Sequence, residues 1–204
     1  MPRGEGTTTA AVTSHRRIGA EDSASRAALL DAAQALMLEE GYAAVTSRRV
    51  AARAGLKPQL VHYYFRTMDD LFLALFRRGA EHNLERQAQA LASPQPLRAL
   101  WSFSRDPDGV ALTMEFAALA NHRKSIRAEI AAYAEQFRRQ QAEALIEVFR
   151  SYGIGADELP PEAALVVMSS IARFLVMEEA LGLTTGHAET LALVERWLSR
   201  VEPI

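Results

Sequence analysis

The chain has 204 residues, no cysteine and a formal net charge of −2 at pH 7. A chain of this length can bury a substantial core, and the lack of cysteine excludes disulfides, thiolate chemistry and cysteine-based zinc sites. The charge is uneven, because residues 1–68 carry nine basic and six acidic side chains whereas residues 69–204 carry fourteen and nineteen. A mildly basic end on an acidic body favours a protein that presents only that end to DNA.

Residues 1–20 are small, polar and aperiodic, and this composition predicts a disordered N-terminal arm. Arg16 and Arg17 could reach a minor groove, as basic arms do, although a solvated tail is the simpler interpretation. The chain has neither a run of 18 apolar residues nor an N-terminal apolar segment of the secretory type. We therefore expect no membrane span, no signal peptide and a cytoplasmic location.

The first predicted helix starts near Ser23 or Ser25 and ends before Gly41, with Leu29, Ala33, Leu36 and Met37 as its buried stripe. Two shorter helices follow. Thr46 is a suitable N-cap for the first of them, and Gly55 occupies the left-handed position that ends it. Pro58 suits the first position of the second, where its missing N–H costs nothing. Two short helices joined by a glycine turn predict a helix-turn-helix.

The segment around this turn contains an ordered set of residues. They are Leu29-Leu30-Asp31-Ala32-Ala33, Leu36, Glu40-Gly41-Tyr42, Thr46-Ser47-Arg48, Val50-Ala51, Ala54-Gly55-Leu56, Val61-His62-Tyr63-Tyr64-Phe65 and Asp69-Asp70-Leu71. At this spacing they resemble the DNA-binding head of the tetracycline-repressor (TetR) family of bacterial transcriptional regulators. Lys57, Gln59-Leu60 and Met68 depart from the usual residues of that family, so the resemblance does not extend to the operator sequence.

The resemblance implies that the second helix of the motif lies in a major groove. The predicted DNA-binding residues are Thr46, Ser47, Arg48, Lys57, Pro58, Gln59, Leu60, His62, Tyr63 and Tyr64. Arg48, Lys57 and Arg66 suit phosphate contacts, while Gln59 can bind adenine and Leu60 can pack on a thymine methyl group. Phe65 is assigned to the core. For Tyr64, the sequence favours neither a core position nor a DNA contact over the other.

The remainder of the chain reads as helix throughout. Thr67 and Asp70 resemble a capping box, and a long helix runs from Asp69 to about Leu91 before the break at residues 93–96. Further helices are predicted at 97–103, 110–121, 126–152, 162–181 and up to residue 200 or 201. The breaks fall at 106–109, the basic joint 122–124, Gly153 with Gly155, and 182–186. We thus expect an all-α fold with an arm (1–20), a three-helix head (21–70) and a body (71–204).

In the body, the resemblance implies a cavity for a small effector among the middle helices. The predicted ligand-binding residues are Trp101, Phe103, Met114, Phe116, His122, Phe137, Phe174 and Met177. Their apolar character suggests a small hydrophobic effector, although ordinary core packing is the alternative for each. The resemblance also implies a homodimer formed through the last two helices, with Trp197 and Leu198 at or next to the interface.

The sequence offers little support for an enzyme. The sequence has no glycine-rich phosphate loop and no nucleophile elbow, and its five histidines are scattered without metal-ligand spacing. We expect no enzyme activity, no metal and no cofactor. The predicted function is a ligand-responsive DNA-binding transcriptional regulator, a repressor released from a pseudo-palindromic operator. One alternative is a helical carrier of lipids or metabolites without DNA function, and another is a constitutive DNA-binding protein without an effector.

Overall fold

The computed structural model describes residues 24–202, which contain nine α-helices and no strand. The helices are α1 (Ala24–Glu40), α2 (Ser47–Arg53), α3 (Pro58–Tyr64), α4 (Met68–Leu91), α5 (Pro96–Ser104), α6 (Pro107–His122), α7 (Lys124–Ser151), α8 (Pro161–Ala180) and α9 (His187–Val201), and a 3₁₀ turn spans Tyr42–Ala44. The predicted all-α fold is confirmed, whereas the predicted arm at residues 1–20 lies outside the described residues. Between residues 24 and 202, no helix is long and apolar enough to cross a membrane.

Most helix boundaries agree with the sequence-based prediction, but α6 and α7 begin earlier. The stretch 106–109 was expected to be a break, yet Pro107 is the first residue of α6 and Asp108 lies in its first turn. Both are favourable there, because proline gives up no helical hydrogen bond at that position and an aspartate complements the helix dipole. The joint expected at 122–124 is reduced to Arg123, since Lys124 already belongs to α7.

The buried apolar residues form two clusters. The first, the head core, includes Leu29, Leu36, Val50, Val61, Phe65 and Leu71, and it extends to Phe116 and Leu119 of α6 and Ile126 of α7. The second, the body core, consists of Leu97, Leu100, Ala142, Leu145, Phe149, Leu165 and Leu198. The head is therefore packed directly on the junction of α6 and α7, in addition to its covalent link through α4.

Polar contacts reinforce the packing of the head on this junction. Glu115 Oε2 of α6 accepts the backbone N–H of Tyr42 at 2.6 Å. Gly41 has φ +83°, and a Cβ at this position would lie 3.3 Å from the same oxygen, so glycine permits both the backbone turn and the close approach. Asp69 accepts from the Ser125 hydroxyl at 2.5 Å and pairs with Arg123. The hydrogen bond from Ser125 and, to a smaller extent, the guanidinium of Arg123 hold the pKa of the Asp69 carboxyl below its usual value.

At the opposite end of the molecule, the side chain of Glu202 joins the end of α9 to the start of α5. Glu202 is 2% exposed, and its carboxylate accepts the backbone N–H groups of Leu97 at 3.0 Å and Arg98 at 2.8 Å. It also accepts the Tyr152 hydroxyl at 2.7 Å. Burial and this neighbouring carboxylate raise the pKa of Tyr152 to about 12. Glu202 thus satisfies free N–H groups in the first turn of α5.

Candidate DNA-binding face and apolar cavity

The connection between α2 and α3 has the local geometry that the sequence predicts. The Thr46 hydroxyl accepts the N–H of Arg49 at the start of α2. Gly55 has φ +66°, and the Leu56 N–H donates to the Ala51 carbonyl at 2.9 Å, which is the 6→1 hydrogen bond of a Schellman turn. Pro58 is the first residue of α3. These contacts fix the direction in which α3 leaves the turn.

The helix α3 has one buried face and one exposed face. Val61 and Phe65, at the C-cap, are buried in the head core, which confirms the assignment of Phe65 to the core. Lys57, Pro58, Gln59 and His62 are exposed. Tyr63 is 45% exposed, whereas Leu60 is half-buried. Tyr64, for which the sequence left core and DNA contact undecided, is also half-buried. No packing requirement accounts for this exposed set, which surrounds the N-terminal half of α3.

The basic residues of α2 and α3 fall into two groups. Arg49 pairs with Glu40, and Arg53 pairs with Glu39 at 2.5 Å, so both hold α2 against the end of α1. In contrast, Arg48, Lys57 and Arg66 are exposed and make no ion pair with any residue of the range 24–202. Thr46 is exposed and Ser47 is half-buried beside them. The three unpaired cations are the three that the sequence assigned to phosphate contacts.

The body contains an apolar cavity of about 400 Å³ between α5, α7, α8 and α9. Its lining residues are Leu97, Leu100, Trp101, Leu145, Phe149, Leu159, Ala164, Val167, Met168, Ile171, Leu193, Val194, Trp197 and Leu198. Every one of them is apolar, and none carries a charge. The cavity lies within the body core rather than next to the head core.

Of the eight predicted ligand-binding residues, the structure brings only Trp101 to this cavity. Phe116 belongs to the head core, and the exposed His122 stacks on Tyr42 at 6.0 Å. The Arg86 guanidinium lies over the ring of Phe103, 5.1 Å from its centroid. The other four do not line the cavity: Met114 and Phe174 are exposed, and Phe137 and Met177 are half-buried. A ligand-binding role for these seven residues has no support from the position of the cavity.

The helices α8 and α9 also carry an exposed apolar face. It comprises Val166, Val167 and Phe174 of α8, Leu181 directly after α8, and Leu193 and Trp197 of α9. Trp197 was expected at an interface and is 39% exposed, whereas Leu198 was expected beside it but is only 3% exposed. Leu198 packs into the body core because it lies about 100° around α9 from Trp197, on the side that faces α5 and α7. An interface built on this face would therefore use Trp197 without Leu198.

Sequence reasoning missed two polar residues that position these elements, Glu115 and Glu202. Glu115 is an isolated glutamate in an ordinary helical pattern, and Glu202 directly follows the last residue of α9. Glu115 accepts a hydrogen bond from a residue 73 positions away, and Glu202 accepts one from a residue 105 positions away. The sequence also favoured aromatic and methionine side chains as cavity residues, whereas leucine and valine supply eight of the fourteen lining residues.

The family model described as bacterial regulatory proteins of the tetR family matches residues 29–75, from α1 to the first turns of α4. The HTH-type transcriptional regulator BetI of Rhizobium meliloti (strain 1021) is 31% identical over 122 residues, which cover 55% of this chain and 60% of BetI. The alignment thus spans less than two thirds of that relative.

Solved structures with a similar fold extend the likeness to the body. A transcriptional regulator from Rhodococcus sp. Rha1 superposes with a TM-score of 0.66 at 21% identity, covering 88% of this chain and 98% of its own. The multidrug binding protein EbrR, solved with imidazole, superposes with a TM-score of 0.58 at 25% identity, covering 78% of this chain and 87% of its own.

Proposed function

We propose that this chain, whose residues 29–75 match the family model of the bacterial regulatory proteins of the tetR family, is a member of that family and a transcriptional repressor that binds operator DNA in the cytoplasm. The observation that carries the proposal is the set of three unpaired cations, Arg48, Lys57 and Arg66, around the exposed face of α3. Unpaired surface cations beside a helix-turn-helix are what binding to a phosphate backbone requires.

In this proposal, α3 lies in the major groove and the three cations bind flanking phosphates. The hydroxyl groups of Thr46 and Ser47 add phosphate contacts at the start of α2. Gln59 reads an adenine through two hydrogen bonds, and Leu60 packs on a thymine methyl group. His62, Tyr63 and Tyr64 contact the DNA backbone or base edges farther along α3.

Two heads are needed to read a pseudo-palindromic operator, so the regulator acts as a homodimer. The exposed apolar face on α8 and α9 supports this assembly, because exposed apolar patches mark protein–protein contacts, and Val167 of α8 meets Leu193 and Trp197 of α9 around one cavity. The face lies on the last two helices, where the sequence led us to expect the interface.

The proposed effector is a small hydrophobic molecule that binds the apolar cavity. A cavity of about 400 Å³ is within the range of small-molecule sites. The helix α7 connects it with the head, since Leu145 and Phe149 line the cavity and Ile126 belongs to the head core. Along α7, Ile126 is about 28 Å from Leu145 and about 34 Å from Phe149 at the helical rise per residue. A ligand that prefers one position of α7 would change operator affinity by its differential binding to the two states.

The test of DNA binding is the salt dependence of affinity for the region upstream of the gene, measured by fluorescence anisotropy. Arg48→Ala and Lys57→Ala should each reduce the slope of log affinity against log salt by about 0.9, because each removes one phosphate contact. Arg53→Ala is the matched control, since Arg53 is already paired with Glu39, and its slope should equal that of the wild type. Absent or salt-insensitive binding would rule out the regulator in favour of a carrier without DNA function.

A second prediction separates base recognition from positioning. Gln59→Ala should relax the preference at one operator position, with a loss of about 1–3 kcal/mol of discrimination there. Arg48→Ala should weaken all operator variants alike, because phosphate contacts carry no sequence information. Affinities for a set of single-base operator variants measure both effects. An even loss across the set for Gln59→Ala would show that Gln59 does not read a base.

The effector is tested by screening uncharged apolar compounds against a preformed protein–DNA complex, with thermal stabilisation as a second measurement. A compound that stabilises the protein and releases DNA supports induction. If compounds stabilise the protein without releasing DNA, DNA binding is constitutive and the effector is no part of its control.

A further inference from the structure

The mouth of the apolar cavity coincides with the exposed apolar face of α8 and α9. Val167, Leu193 and Trp197 line the cavity, yet their exposed fractions are 56%, 60% and 39%. In the single chain, the cavity is therefore open between α8 and α9, and these three lining residues are partly exposed to solvent. A hydrophobic molecule bound there would remain partly in contact with water unless another surface covered the mouth.

The exposed face of α9 has a charge pattern that matches a second copy of itself. Glu189 lies near the start of this face and Arg196 and Arg200 lie near its end, with Leu193 between Glu189 and Arg196 and Trp197 between the two arginines. None of the three charged residues has an ion-pair partner among residues 24–202. A two-fold axis that pairs two α9 helices in antiparallel orientation would place Glu189 of one copy opposite Arg200 of the other. The pattern is self-complementary, as an interface between identical chains must be.

From these two observations, and resting on the dimer of the proposed function, we infer that the cavity is a ligand site completed by the second subunit, and that occupancy strengthens the dimer. The ligand is an uncharged hydrophobic molecule, because the lining offers no charged group to compensate a buried charge. The partner covers Val167, Leu193 and Trp197 and thereby removes the ligand from water. Ligand affinity is consequently higher in the dimer than in the monomer.

This arrangement links two equilibria. If dimerisation raises the affinity of each site by some factor, saturating ligand lowers the dimer dissociation constant by the square of that factor, since each dimer has two sites. The ligand thus acts on assembly at the place where it binds. This effect needs no movement of the head, which distinguishes it from coupling through α7.

The experiment uses the full chain and the uncharged fluorescent probe N-phenyl-1-naphthylamine. Its affinity is measured for the wild-type dimer and for Phe174→Glu, which places a charge on the α8 face. Phe174 is 55% exposed and does not line the cavity, so the variant keeps its fold and cavity while losing the partner. We expect probe affinity to fall by about five- to 150-fold, the usual range for linked sites.

Sedimentation of the wild type over a range of concentrations gives the reciprocal measurement, which requires no variant. Saturating probe should lower the dimer dissociation constant, whereas the cavity-filling variant Ala164→Phe should dimerise equally with and without probe. Equal probe affinity of the monomeric Phe174→Glu and the wild type would overturn the inference, as would failure of the wild-type dimer to bind the probe.

These outcomes are separable from failure of the proposed function. If the chain binds the probe in a dimer-dependent manner but does not bind DNA, the inference stands and the proposed repressor function is wrong. If the chain represses through its operator but its dimer dissociation constant does not respond to the probe, the proposed function stands and the inference is wrong. A wild type that stays monomeric at all concentrations removes both the dimer and the shared site.

Discussion

Removing the Glu202 carboxylate, as in Glu202→Ala, should lower the free energy of unfolding by about 3 kcal/mol. The carboxylate is buried and accepts two backbone N–H groups of α5 and the Tyr152 hydroxyl. The alanine variant leaves these donors without a partner in a region that excludes most water, and each unsatisfied buried donor is costly. It also removes an anion from the first turn of α5, where the helix dipole favours one. Urea denaturation followed by circular dichroism measures the loss.

Two further variants divide this effect into its parts. Tyr152→Phe removes one of the three donors and should cost only about 1 kcal/mol. Glu202→Gln keeps an acceptor in place but not its charge, so its stability should lie between that of Glu202→Ala and the wild type. If Glu202→Ala costs less than Tyr152→Phe, water has replaced the carboxylate, and Glu202 does not hold α5 to α9.

The second large effect is expected from Phe174→Glu on operator binding. An unpaired charge at the centre of the proposed interface is costly to bury, so the variant should be monomeric at concentrations where the wild type is a dimer. A single head then binds one half-site without the advantage of a linked second head. Affinity for the full operator should fall by about 10²–10⁴-fold, the usual gain from linking two binding modules.

The matched control is Met114→Glu, which replaces another exposed apolar residue, on α6, outside the α8–α9 face. It should remain dimeric and bind the operator as the wild type does. Affinity for an isolated half-site should be equal in Phe174→Glu and the wild type, because the head is unchanged. A dimeric Phe174→Glu would show that the interface lies elsewhere on the surface.

The features that sequence predicted well are local ones. Thr46, Gly55 and Pro58 act on backbone groups within four residues of themselves, and Thr67 with Asp70 forms the predicted capping box at the start of α4. Such contacts depend on residue type and spacing alone. The exposed face of α3 followed for the same reason, since helical periodicity assigns each residue to a side.

The cavity could not be predicted in this way because its position depends on how distant helices pack. Phe116 and Trp101 are both large aromatic residues in helical patterns, yet one fills the head core and the other lines the cavity. Leu145 and Leu193 line it with side chains that sequence cannot distinguish from ordinary core. The contact of Glu202 with Leu97 likewise joins residues about 105 positions apart, beyond the reach of any periodic pattern.

The extension of the head core into α6 and α7 limits how the proposed regulator can be re-engineered. A head grafted from a relative by joining the chains at α4 would meet Phe116, Leu119 and Ile126 with a foreign surface. It would also have to supply a backbone N–H for Glu115 and a glycine that admits its carboxylate. New operator specificity is therefore better obtained by substituting exposed positions of α3, such as Gln59 and His62, than by transplanting the whole head.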